Sequence, residues 1–113
     1  VSGCDARDNG AHGFDTCERI SACHAIYNAS DGFYGCNYVS ACRANSNDSD
    51  GFSSCSQVTA SIAGSNGAYG FVGCNRMGFN RAGSNTSGNY NASYADSGTS
   101  NAAADTAAGG YNS

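Results

Sequence analysis

The pentapeptides GFDTC (residues 13–17), GFYGC (32–36), GFSSC (51–55) and GFVGC (70–74) recur with a constant 19-residue period. Other residue columns keep the same spacing: a second cysteine column at Cys4, Cys23 and Cys42, an alanine column at Ala6, Ala25, Ala44, Ala63 and Ala82, and an asparagine column at Asn9, Asn28, Asn47, Asn66 and Asn85. So many columns on one period indicate a tandem repeat. We predict four to five units over residues 1–82.

The C-terminal segment, residues 83–113, loses most of this pattern. It consists mainly of Gly, Ser, Asn, Ala and Thr with scattered Tyr. Such a composition is typical of a flexible tail. The alternative is a degenerate last repeat that caps the array or completes a neighbouring subunit.

Large apolar residues are scarce in this chain. Three Ile, four Val and five Phe make 12 of 113 residues, and Leu, Trp and Pro are absent. A chain this poor in bulky side chains cannot offset the entropy of folding through a large apolar core. The predicted core is therefore thin and periodic: Phe14, Phe33, Phe52 and Phe71, with Ile20, Val39, Val58 and Met77.

Seven cysteines offer a covalent substitute for the missing core. The favoured pairs are Cys4–Cys17, Cys23–Cys36 and Cys42–Cys55. This pairing leaves Cys74 alone or free to bond across a subunit boundary, since Ser61 stands at its expected partner position. A second pairing, Cys17–Cys23 and Cys36–Cys42, satisfies fewer thiols. Each favoured loop would contribute about 3 kcal/mol on the chain-entropy model.

The fold class predicted from these features is a small disulfide-stapled array of short helix–loop repeats. Residues 17–25 contain good helix formers with apolar spacing at three and four, and Asp15 with Glu18 and Ser54 with Gln57 fit helix N-caps. The alternative is a β-solenoid with 19-residue rungs, to which Asn ladders, stacked Phe and a small-residue interior would be suited. Few β-branched residues and no strict alternation disfavour that alternative.

The cysteine content predicts a secreted, extracellular protein, because cytosolic thiols are kept reduced. The asparagine column also contains glycosylation sequons. Asn28, Asn47 and Asn85 are followed by Ser at the second position, and Asn91 begins a fourth sequon. Covalent glycans at these four asparagines are therefore predicted. The competing explanation is that Asn recurs because it suits a turn, as Asn9 and Asn66 lack the Ser.

Several function classes are disfavoured. The net charge of −4 and five scattered Arg provide no basic stripe for nucleic acid, and no apolar run is long enough to span a membrane. The stretch Asn47–Gly51 resembles a calcium loop but lacks the required Glu. No spacing suits zinc or haem around His12 or His24. No catalytic constellation occurs, so we predict no enzyme activity, no metal and no cofactor.

The leading functional hypothesis is a structural protomer of an extracellular fibril, appendage or coat, with copies of itself added head to tail. The alternative is a carbohydrate-binding or adhesive module, in which Tyr27, Tyr34, Tyr38 and Tyr69 would supply a sugar-stacking face. A third hypothesis is an ice-binding solenoid. It is disfavoured because the threonines form no column.

Overall fold

The computed structural model describes residues 1–89 and, for their backbone only, 90–91 and 102–103, and these residues form a parallel β-solenoid. No helix occurs within this described part of the chain. The β-solenoid alternative is therefore confirmed, and the helix–loop fold is wrong. The 19-residue tandem repeat is confirmed as the unit of one rung.

Three parallel sheets form the walls of the solenoid. Sheet A consists of β3 (Arg19–Ser21), β6 (Tyr38–Ser40), β9 (Gln57–Thr59) and β12 (Arg76–Gly78). Sheet B consists of β1 (Asp5–Arg7), β4 (His24–Ile26), β7 (Arg43–Asn45), β10 (Ile62–Gly64), β13 (Arg81–Gly83) and β15 (Ala102–Ala103). Sheet C consists of β2 (Phe14–Asp15), β5 (Phe33–Tyr34), β8 (Phe52–Ser53), β11 (Tyr69–Val72) and β14 (Gly88–Asn91).

The register of the sheets follows the repeat directly. In sheet A, Val39 pairs with Ile20 on one side and Val58 on the other, each its own equivalent in the adjacent unit. We number the rungs accordingly as first (residues 1–18), second (19–37), third (38–56), fourth (57–75) and fifth (76–91). Because the register equals the period, each side chain stacks on its own equivalent in the neighbouring rung.

Each rung turns its corners with residues in the left-handed backbone region. One corner column has positive φ at Ala22, Ala41, Ala60 and Phe79, a second at Asp8, Tyr27, Ser46, Ser65 and Ser84, and a third at Thr16 and Ser54 with Gly35 and Gly73. A residue with a Cβ pays about 1 kcal/mol or more to adopt this conformation. Strand pairing on either side of each corner must offset this cost, so the corners depend on tertiary structure.

The predicted helix over residues 17–25 is replaced by two strands and a corner. β3 and β4 are separated by Ala22 at φ 52°, a conformation that no right-handed helix contains. The proposed caps fail with it, since Asp15 lies in β2 and Ser54 lies at a corner. Local helix propensity is worth only tenths of a kcal/mol per residue. In-register pairing with two neighbouring rungs outweighs it.

The interior is built from stacked columns, as the sequence predicted for Phe and for the apolar column. Neighbouring rings from Phe14 to Phe71 stack with centroids 4.7–4.9 Å apart and planes within 7° of parallel. The other buried members of the core are Ile20, Val39, Val58 and Met77, with the alanine and cysteine columns around them. Small residues fill the remaining space, which explains how a chain with so few bulky side chains closes a core.

The glycine before each Phe is required by the close approach of neighbouring rungs. A Cβ on Gly51 would lie 2.7 Å from the carbonyl oxygen of Gly70, and 2.9 Å from both Ala63 Cβ and Asn66 Nδ2. Two of these neighbours belong to the tightly stacked interior and the third is backbone. No larger residue fits this column without moving a rung.

Strand pairing continues into the segment for which the sequence predicted a tail. β14 pairs with β11, and β15 pairs with β13 through Arg81↔Ala102 and Ala82↔Ala103. Residues 92–101 and 104–113 of that segment lie outside the described residues.

Candidate functional site

The first rung differs from the others because no further rung covers its outer side in the described structure. β1 and β2 are the end strands of sheets B and C. Phe14 and Cys17 are only partly buried, whereas their equivalents Phe33 and Cys36 are fully enclosed. The first rung thus presents the solenoid interior in cross-section.

The backbone of this rung has hydrogen-bonding groups directed outward. In the second rung, Ala29 N donates to Asn9 O at 2.9 Å. The equivalent amide in the first rung belongs to Gly10, and it points away from the second rung. Beside Gly10 is open space, because a Cβ there would meet no atom within 4 Å. An edge of this kind can pair with another strand.

Charge is distributed unevenly along the solenoid axis. The first rung contains Asp5, Asp8, Asp15 and Glu18 against Arg7, a net charge of −3. The fifth rung, within residues 76–91, contains Arg76 and Arg81 and no acidic residue. Asp96 and Asp105 lie outside the described residues. The first and fifth rungs therefore carry opposite charge, and β15 lies beyond the fifth rung in sheet B.

The asparagine column forms a buried amide ladder. Asn47 Nδ2 donates to Ala25 O at 3.0 Å and to Asn66 Oδ1 at 3.0 Å, and Asn47 Oδ1 accepts from the backbone and side-chain nitrogens of Asn28. Asn28 and Asn66 repeat this pattern on either side. A buried amide with all its groups bonded stabilises the fold without any apolar surface.

The ladder includes three of the four asparagines predicted to carry glycans. Asn28, Asn47 and Asn85 are buried, and the Nδ2 atom to which a glycan would be attached donates hydrogen bonds in each. Attachment of a glycan would therefore require the side chain to leave the interior, and glycosylation stays a prediction. The side chain of Asn91 lies outside the described part of the structure.

The structure also replaces the predicted disulfides. The six cysteines of the predicted pairs form no disulfide, so neither Cys4–Cys17, Cys23–Cys36 and Cys42–Cys55 nor the alternative pairing is present. The reason is that the two cysteine columns occupy different corners of the rung, one between sheets A and B and the other between sheets C and A. Each thiol therefore stacks on the equivalent thiol of the next rung. Cys74, predicted to link subunits, is fully buried.

Burial makes most of these thiols poor nucleophiles. Contact with the Cys55 thiol and burial raise the pKa of Cys36 far above its usual range, and burial raises the pKa of Cys42 to about 11. A thiol must ionise to attack an electrophile or bind a metal. Cys42 and Cys55, which are enclosed between neighbouring rungs, therefore fill space in the core and are poor nucleophiles.

A column of titratable side chains flanks sheet C. Asp31 accepts a hydrogen bond from the backbone of Asp50, Asp50 accepts one from the backbone of Tyr69, and His12 Nδ1 lies 3.4 Å from Asp31 Oδ2. Burial, with the nearby Asp31 carboxylate, raises the pKa of Asp50. Each carboxylate thus stabilises the backbone of the next rung. Among the described residues no group of three or more His, Cys, Asp or Glu could hold a metal ion.

The tyrosines do not form one platform. Tyr38 lies in sheet A, Tyr34 in sheet C and Tyr27 at the corner after β4, so these three exposed rings point from different sides of the solenoid. Tyr34 stacks on His12 at 4.5 Å, and the guanidinium of Arg19 lies 5.7 Å from the centre of the Tyr38 ring.

No helix in the described residues is long and apolar enough to cross a membrane. Comparison with protein-family models, curated proteins and solved structures finds no match. The open first rung was not predicted from the sequence. One feature of the sequence distinguishes this rung from the others. Charged residues are concentrated between Asp5 and Glu18, whereas the other repeats contain few.

Proposed function

We propose that this protein is a structural protomer that stacks head to tail with copies of itself into a filament, as part of an extracellular fibril, appendage or coat. The observation that carries the proposal is the in-register stacking of the rungs, in which each rung contributes the same residue columns as its neighbours along one axis. Repeat proteins add units along one axis, and an interface between unlike ends does not close on itself.

Stacking would extend three interactions already present in the interior. A rung from another copy would cover Phe14 as the third rung covers Phe33, at a ring spacing near the observed 4.7–4.9 Å. It would also continue the asparagine ladder at Asn9 and pair the edges of β1 and β2. Burial of Phe14 alone is worth about 1–2 kcal/mol, since part of its ring is already covered.

Charge supports the head-to-tail direction over a symmetric contact. Two first rungs would bring net charges of −3 together, so charge disfavours a symmetric contact between them. Complementary charge mainly speeds association and selects orientation. The extracellular location is supported by the cysteine-rich composition alone.

The test compares two substitutions of one residue. Gly10→Pro removes the outward amide from the first rung, and Gly10→Ala keeps it in the same open space. We expect filaments by electron microscopy and a concentration-dependent sedimentation coefficient for wild type and Gly10→Ala, and only monomer for Gly10→Pro with an unchanged circular dichroism spectrum. A wild-type protein that stays monomeric at millimolar concentration overturns the proposal.

A charge-matched pair tests the direction of stacking. Asp15→Arg changes the first rung, and Asp48→Arg makes the same change at an exposed position of the third rung. We expect Asp15→Arg to weaken association by roughly several-fold at low salt, as expected for an exposed ion pair, and Asp48→Arg to have little effect. Equal effects of the two substitutions would argue against a contact at the first rung.

A further inference from the structure

Equivalent cysteines in neighbouring rungs have the same orientation. Cys17 Sγ lies 3.7 Å from Asp15 O, and Cys36 Sγ lies 3.6 Å from Tyr34 O. In the other column, Cys4 Sγ lies 3.3 Å from Ser2 O, and Cys23 Sγ lies 3.2 Å from Ser21 O. Each pair is thus related by a shift of one rung.

That shift is compatible with a disulfide. Parallel strands lie about 4.8 Å apart, which falls within the range of roughly 4.4–6.8 Å between the Cα atoms of bonded cysteines. The backbone amide of Cys4 already lies 3.4 Å from Cys23 Sγ. Rotation of the two side chains toward each other would bring the sulfur atoms to bonding distance with little movement of the backbone.

Accessibility separates the first rung from the rest. Cys4 is exposed and Cys17 is partly buried, whereas the other five thiols are buried. A small-molecule oxidant can therefore reach one member of the pair Cys4 and Cys23, and one member of the pair Cys17 and Cys36. The oxidant cannot reach the sulfur atoms of Cys55 and Cys74, because both residues are buried.

We propose that Cys4 with Cys23 and Cys17 with Cys36 are two disulfide-forming sites that lock the first rung to the second when a low-molecular-weight disulfide is present. The bonds join neighbouring rungs along the solenoid axis and do not cross a single rung from corner to corner. The two disulfides would thus attach the least buried rung covalently to its neighbour. This inference does not rest on the proposed filament.

The reaction proceeds by two thiol–disulfide exchanges at each site. The thiolate of Cys4 attacks one sulfur of the small disulfide, breaks its S–S bond and releases one small thiol, leaving a mixed disulfide on Cys4. The thiolate of Cys23 then attacks the Cys4 sulfur and expels the second small thiol. The two cysteines lose two electrons and two protons, and the small disulfide is reduced to two thiols.

The second site reacts more slowly than the first. Burial and the neighbouring Cys36 thiol raise the pKa of Cys17, and contact with Cys55 and burial raise that of Cys36. Both exchanges at this site therefore start from a small thiolate fraction, and Cys17 is partly buried whereas Cys4 is exposed. We expect the Cys4–Cys23 bond to form first and the Cys17–Cys36 bond to follow.

The experiment treats the folded protein with glutathione disulfide, quenches it with acid, and maps linkages by mass spectrometry without reduction. The expected product has lost four hydrogen atoms, links Cys4 to Cys23 and Cys17 to Cys36, and keeps Cys42, Cys55 and Cys74 alkylatable after denaturation. Cys4→Ser should lose the first linkage only, and the control Cys42→Ser should lose neither.

Three results would overturn the inference: linkage of Cys4 to Cys17 or of Cys23 to Cys36, linkage between two chains, or mixed disulfides that persist on Cys4 and Cys17. Circular dichroism before treatment establishes that each variant is folded. Should Cys4→Ser fail to fold, prior alkylation of native Cys4 replaces it, with the same expected loss of one linkage.

Discussion

The first and third rungs are built from the same 19-residue unit, but they have different environments. Asn47 and Phe52 of the third rung are enclosed between two neighbouring rungs, whereas Asn9 of the first rung is exposed and Phe14 is half-buried. The comparison shows that equivalent positions in the repeat contribute different amounts to the free energy of unfolding. Its contribution depends on whether a rung lies on both sides of it, so paired substitutions can measure what one rung supplies.

Phe52→Ala and Phe14→Ala should show the largest difference between the two rungs. Phe52 is fully buried between Phe33 and Phe71, so its truncation leaves a cavity and should lower the free energy of unfolding by about 3–5 kcal/mol. Phe14 stacks on one side only and should cost less than about 2 kcal/mol. Chemical denaturation of the monomer measures both, and equal losses would mean that the first rung is covered in solution.

Asn47→Ala and Asn9→Ala compare the middle and the end of the amide ladder. Truncation of Asn47 removes the acceptor of two bonds from Asn28 and leaves Ala25 O without its side-chain donor. We expect a loss of about 2–3 kcal/mol, the usual cost of buried polar groups left unsatisfied. Asn9 is exposed, and its loss should cost about 1 kcal/mol or less. A mild effect of Asn47→Ala would mean that water replaces the missing amide.

Gly51→Ala and Gly10→Ala test the tightness of stacking. A methyl group at Gly51 would lie 2.7 Å from a backbone oxygen of the next rung, whereas Gly10 has open space. Overpacking of this kind costs about 1–3 kcal/mol, and the Gly10 substitution should be neutral or slightly stabilising. Thermal unfolding followed by circular dichroism distinguishes the two, and a tolerated Gly51→Ala would contradict the observed rung spacing.

The smallest expected effect concerns pH. Burial raises the pKa of Asp50 above 3.8, so the folded state binds a proton more tightly than the unfolded state. The free energy of unfolding should therefore fall as pH rises from about 3.8 through the raised pKa. Asp50→Asn should flatten this fall and be more stable than wild type at neutral pH, provided that its Oδ1 keeps the bond from Tyr69 N. Asp48→Asn, at an exposed position, is the control and should retain the wild-type pH profile.

Part of the fold could be predicted from the sequence. The 19-residue period, the Phe column and the apolar column from Ile20 to Met77 are properties of residue spacing, and the structure places them in the core. The helix over residues 17–25 was wrong because its local propensities are small beside pairing with two neighbouring rungs. The predicted disulfides are absent from the structure, and the glycosylation sites stay a prediction. The sequence did not indicate that the cysteine and asparagine columns face the interior beyond the first rung.

The sequence by itself determined the period, and with it the register of the strands from β1 to β14, because stacking similar units requires an offset equal to the repeat. Only the tertiary structure decided which way each column faces. Three left-handed corners per rung set those directions, and residues such as Ala22, Tyr27 and Thr16 adopt that conformation only when neighbouring rungs hold them there. The same stacking that encloses the middle rungs leaves the first rung open, and that open rung is where assembly and disulfide formation are proposed.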